Sequence, residues 1–95
     1  MMENVIATIE FCKHYHVEYE FITMLQESGL IETRHIDEQE YLDLSKIDEL
    51  EKFSRMYYDL EINVSGIEAI HHLLSRVRDM QDEITLLRNR LRIYE

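Results

Sequence analysis

The sequence predicts a mainly α-helical domain that carries one small β-hairpin and ends in a long helix. Three observations lead there. Apolar residues recur at helical spacing over most of the chain. Proline is absent and there are only two glycines, so few positions can break a helix. Two short segments flank a single polar turn. The 95 residues suit one domain, and 45% hydrophobic with 32% charged residues is a globular composition. A chain this short buries a modest core, so help from a partner subunit is in keeping with its size.

The first helix is expected from about Thr8 to Tyr15, with Thr8 as its cap and Glu10 in the turn where the helix dipole favours an acid. Ile9, Cys12 and His16 fall on one side of it, and Phe11 and Tyr15 broaden that side. A second helix spans about Glu18 to Ser28, apolar at Tyr19, Phe21, Ile22 and Leu25. Gly29 follows as a stop, because glycine accepts the left-handed conformation needed there. Leu30 to Ile36 and Glu40 to Leu44 then flank Asp37-Glu38-Gln39, a hairpin and the only strand content expected.

Ser45-Lys46-Ile47-Asp48 has capping-box spacing and opens a third helix, in which Ile47, Leu50, Phe53, Tyr57 and Leu60 repeat. Ser65-Gly66-Ile67-Glu68 is a second capping box. It divides a body, residues 1–64, from a last helix, 65–95, that belongs to the same domain and reaches about Tyr94. About 30 helical residues extend roughly 45 Å, too far for so small a globule to cover. Along that helix Ile70, Leu73, Val77, Met80, Ile84, Leu87, Leu91 and Tyr94 alternate at spacings of three and four, a heptad seam. Arg76, Arg78, Arg88, Arg90 and Arg92 lie around it with Asp79, Asp82 and Glu83. The seam predicts pairing, as a homodimer through Val77, Met80, Ile84, Leu87 and Leu91 or as a dock for a partner helix. The alternative is that it folds back on its own domain, and the direction of pairing stays open.

The formal charge is −10. Such a body repels DNA unless a basic patch is concentrated somewhere, and it attracts a basic protein. An acidic surface that only keeps the protein soluble is the plain alternative. Through Leu44 the chain holds ten acidic residues against two basic ones, Lys13 and Arg34. Cys12 is the single cysteine, so no internal disulfide is expected. Met1 to Ile9 does not read as a signal peptide, and no apolar run approaches the roughly 20 residues of a membrane span, so the cytoplasm is the expected compartment. In Cys12-Lys13-His14-Tyr15-His16 the cysteine and His16 share a helical face while His14 points away, and His71 and His72 diverge. No metal site or other cofactor is expected. No nucleophile with its base, phosphate loop or paired catalytic carboxylate stands out, so an enzyme is not expected.

Helix, turn, helix, hairpin and further helices is the order of a winged helix-turn-helix. Ser28-Gly29-Leu30-Ile31 followed by Arg34 resembles the MerR family at the turn into the wing, and Tyr41 and Ser45 fall where that wing ends and the next helix begins. The chain is more closely similar to the chaperone-modulator (CbpM-type) family, which has a MerR-like body. That resemblance is carried by Glu10-Phe11-Cys12, by Gly29-Leu30-Ile31-Glu32 with Arg34, by Asp59-Leu60-Glu61-Ile62-Asn63-Val64-Ser65-Gly66-Ile67 and by Leu86-Leu87-Arg88-Asn89-Arg90-Leu91. These motifs are short; their order spans nearly the whole chain. The resemblance implies an adaptor that binds the J-domain of a DnaJ-like co-chaperone and inhibits its stimulation of a DnaK-type chaperone.

The alternative is a dimeric, MerR-like DNA-binding transcription regulator. Its second helix would enter the major groove, with basic side chains on the phosphates. Here that helix holds Glu18, Glu20 and Glu27 and no lysine or arginine. Thr23, Leu25 and Leu42 stand where MerR proteins usually place arginine, tyrosine and arginine. The expected partner-binding residues are therefore acidic: Glu18, Glu20 and Glu27, then Asp37 and Glu38, with Tyr19 or Met24 as apolar anchors. For any one glutamate taken alone, a solvated helix face is the plainer reading.

Overall fold

A computed structural model describes residues 4–94. It is a mainly α winged helix-turn-helix with a long last helix. In order the elements are β1 (Val5–Ala7), α1 (Thr8–Tyr15), α2 (Tyr19–Glu27), β2 (Thr33–Ile36), β3 (Gln39–Asp43), α3 (Ile47–Ser54) and α4 (Val64–Ile93). The first, second and last helices form where the sequence places them, within a residue or two, whereas the first hairpin strand begins at Thr33 and not at Leu30. Gly29 has φ +82°, the left-handed stop expected after α2. The hairpin turn is made by Asp37 and Glu38 at φ 50° and 65°, the mirror-image geometry whose twist suits paired strands.

The hairpin is not the only strand content. Val5–Ala7 adds a third strand, giving a sheet of order β1-β3-β2 with Ile6 opposite Leu42. β1 runs straight into α1, and this changes the start of that helix. Ala7, not Thr8, is the cap residue and makes no side-chain cap bond. Thr8 turns inward, 1% exposed, with its hydroxyl oxygen unpartnered. The buried side of α1 is thus Thr8 and Phe11, with Cys12 and Tyr15 packed beside them, whereas Ile9 and His16 face outward. Phe11, Cys12 and Tyr15 lie on the expected side, whereas Thr8 takes the buried place expected of Ile9 and His16.

Both expected capping boxes shift as well. Ser45 does not cap α3; it donates its backbone N–H and its hydroxyl to the Asp43 carboxylate at 2.9 and 2.8 Å. A single 3-10 turn, Leu44–Lys46, precedes the helix proper. Those two bonds, with Arg34 and Lys46 nearby, hold the Asp43 carboxyl below its ordinary pKa. At α4 the cap is Asn63, whose side chain accepts the Gly66 N–H at 2.8 Å, so Ser65 lies inside the helix. A Cβ on Gly66 would stand 2.8 Å from the Ile62 side chain, so the close packing of this corner requires glycine.

The third helix does not keep its period to Leu60. After Ser54 it widens into a π-helical turn, Arg55–Asp59, and Leu60 is 66% exposed. The turn lets consecutive Tyr57 and Tyr58 both reach Phe21, at centroid distances of 4.6 and 5.4 Å. The core consists of Phe11, Val17, Phe21, Ile22, Leu25, Leu42, Leu50, Phe53 and Ile67. Each large side chain fully buried there contributes about 1.5–3 kcal/mol. Only Ile67 comes from α4, and every residue from Arg76 to Tyr94 is exposed.

Candidate protein-docking surface

α2 buries Phe21, Ile22 and Leu25, which leaves Tyr19, Glu20, Thr23, Gln26 and Glu27 on the opposite side. Glu18 is its cap residue in extended conformation, and the Glu18 N–H donates to the Tyr58 hydroxyl at 2.9 Å. That bond satisfies one of the free donors at a helix start and ties α2 to the π-helical turn.

Two side-chain bonds fasten α2 to the wing. The Tyr19 hydroxyl donates to Glu40 Oε1 at 2.8 Å, and Gln26 Nε2 donates to Thr33 Oγ1 at 3.0 Å. The first bond, helped by partial burial and the Glu40 charge, holds the Tyr19 phenol above its ordinary pKa. Glu40 lies two residues past Glu38, so the bond brings the wing tip to the end of α2 where Glu18 and Glu20 stand. Of the residues singled out from the sequence, Glu18, Tyr19, Glu20, Asp37 and Glu38 thus share one end of the head, and Glu27 lies at the other end of α2. Tyr19 is 47% exposed, with its ring open and its hydroxyl committed to Glu40. Met24 is half-buried against the core and offers only an edge. Glu40 and Tyr58 organise this end and were not found from the sequence, because nothing local marks either as a tether.

Cations are scarce on the same surface. α2 has none in its last turn. Arg34 faces Asp43 at 3.6 Å, and His35 faces Glu40 at 3.8 Å. The Glu40 Oε2 atom is buried without a partner. Among the described residues no three His, Cys, Asp or Glu side chains are grouped as for a metal ion, and no helix is long and apolar enough to cross a membrane.

A second candidate surface is the α4 seam, where Val77, Met80, Ile84, Leu87 and Leu91 are all exposed, from 43% at Val77 to 64% at Leu91. The start of α4 is pinned to α3. His71 Nδ1 lies 3.4 Å from Glu49, and its ring meets Phe53 edge-on at 5.4 Å. The head therefore presents an acidic wing and helix, and the arm beyond it an uncovered apolar stripe.

A family model described as MerR HTH family regulatory protein matches residues 6–89. No curated protein and no solved structure matches the chain.

Proposed function

The chain belongs to the MerR helix-turn-helix family of regulatory proteins, and from that premise we propose that it is a non-enzymatic adaptor that binds protein in place of DNA. The partner is the J-domain of a DnaJ-like co-chaperone, and binding inhibits stimulation of a DnaK-type chaperone. One observation carries the reading. The helix and wing that meet the groove in DNA-binding relatives of this fold are negative here: Glu18, Glu20, Glu27, Asp37 and Glu38 are all exposed, and Arg34 faces Asp43. Carboxylates set against phosphates would replace counterion release with repulsion. A basic helix, such as the one a J-domain uses to dock on its chaperone, has the complementary sign. Charge would steer the encounter, and the Tyr19 ring would supply apolar contact.

The uncovered seam supports a second part of the reading, a homodimer through Val77, Met80, Ile84, Leu87 and Leu91. Glu83 flanks this seam with Arg88 on one side of the heptad and Arg90 on the other. It can meet an arginine across the pair in either direction. A lone helix of this length gains most of its stability from packing, which a second copy would provide.

The family description itself favours the rival, a dimeric DNA-binding regulator. The deciding experiment measures DnaK-type ATPase activity, stimulated by the co-chaperone encoded in the same genome, as this chain is added. The reading expects stimulation to fall to the unstimulated rate at saturating chain. Undiminished stimulation, with the co-chaperone intact and the chain in excess, would defeat it.

A further inference from the structure

A cleft of about 450 Å³ opens between the end of α1, α3 and the π-helical turn. Of its lining only Tyr58 reaches the docking surface above, where its hydroxyl accepts the Glu18 N–H. Val17, 7% exposed, is the buried part of its lining. Tyr15 and Tyr58 are its aromatic walls, and both rings are held. Tyr15 packs on Phe11 at 4.5 Å and on His14 at 4.8 Å. Tyr58 meets Phe21 and Tyr57 edge-on at 5.4 and 5.0 Å.

Glu51 and Asp59 add carboxylates to these walls. The Glu51 carboxylate acts on the neighbouring ring: its interaction with the Tyr15 hydroxyl is the main reason that phenol is held above its ordinary pKa, ahead of burial and the Asp48 charge. Arg55 also lines the cleft, is exposed, and makes no ion pair among the described residues. Two packed aromatic rings beside carboxylates suit a planar cation. The faces attract its charge, and a carboxylate accepts its N–H groups in pairs. The lining also holds His16 beside Arg55, and an anion that met these two would still face both carboxylates.

The geometry points to this cleft as the seat of one arginine side chain of the protein partner, beside the acids at the start of α2. The inference rests on the adaptor reading but names a contact that reading does not contain. Arg55 is the competitor within the chain for the same position.

The test uses the full chain and N-acetylarginine methylamide as probe, followed by nuclear magnetic resonance. Saturable shifts are expected at Tyr15, Val17 and Tyr58, exceeding those at Glu20 and Asp37. Glu51→Gln with Asp59→Asn should weaken probe binding about tenfold, whereas Glu20→Gln with Glu27→Gln should leave it within about twofold. Arg55→Ala removes the competitor and should strengthen binding. The idea fails if the cleft resonances do not saturate, if both carboxylate pairs matter equally, or if Arg55→Ala weakens the probe. J-domain binding that is unchanged by Glu51→Gln/Asp59→Asn would remove the cleft and leave the adaptor reading standing. A probe seated in the cleft of a chain that binds no J-domain would do the reverse.

Discussion

The head and the arm of this molecule solve opposite problems. The head packs nine buried apolar side chains from four helices, a turn and a sheet strand into one core. In the arm, every described residue from Arg76 to Tyr94 is exposed in the single chain. Their charges differ too. Through Leu44 the head has two basic residues against ten acidic ones, whereas from Arg76 to Glu95 five arginines face four acids. The difference separates a region that buries its own apolar side chains from one whose apolar stripe stays exposed in the single chain; the proposed dimer would cover that stripe.

The largest break in that comparison comes from emptying the head. Phe21→Ala should destabilise by about 3–5 kcal/mol, because the ring is fully buried and underlies both Tyr57 and Tyr58. Thermal or denaturant unfolding reads this directly. The same truncation in the arm, Leu86→Ala off the seam at 51% exposed, should stay within about 0.5 kcal/mol. Deleting residues 80–95 sharpens the contrast from the other side. Light scattering should then report half the assembled mass, with the circular dichroism of the head retained. An unchanged monomer before and after deletion removes the dimer.

Smaller effects follow. Glu18→Lys with Glu20→Lys should slow association with a J-domain about tenfold at low salt, and the deficit should shrink as salt rises. An unaltered on-rate in stopped flow would mean that another face docks. Asn63→Ala removes the cap that receives the Gly66 N–H and should cost about 1 kcal/mol, whereas Ser65→Ala should cost less, since Ser65 is not the cap. Least of all is Asp43. Its carboxyl is depressed in the folded state, so its contribution is present at neutral pH and is lost as pH falls below the ordinary carboxylate value towards the folded one. Asp43→Asn should flatten the acid limb of the stability profile, and an unchanged limb would exclude Asp43 as a source.

Much of the head was legible because its signals are local. Gly29 ends α2, the polar Asp37-Glu38-Gln39 turns the hairpin, and the helical period sends Glu20 and Glu27 outward while Phe21, Ile22 and Leu25 turn in. What was not legible depends on residues far apart in sequence. β1 exists because Val5–Ala7 finds Tyr41–Asp43, and with that strand running straight into α1 the cap falls on Ala7 and Thr8 turns inward. Asn63 and Ser65 are both good caps, and the Gly66 N–H goes to the Asn63 side chain. At the docking surface the acids could be read from the sequence. The Tyr19–Glu40 and Glu18–Tyr58 bonds that gather them at one end could not.

The most direct measurement is a paired titration of the full chain against the J-domain of its own genome and against duplex DNA, each at low and high salt. The account predicts tight J-domain binding that weakens as salt rises, and no DNA binding at either concentration. Salt-sensitive DNA binding without J-domain binding would contradict it.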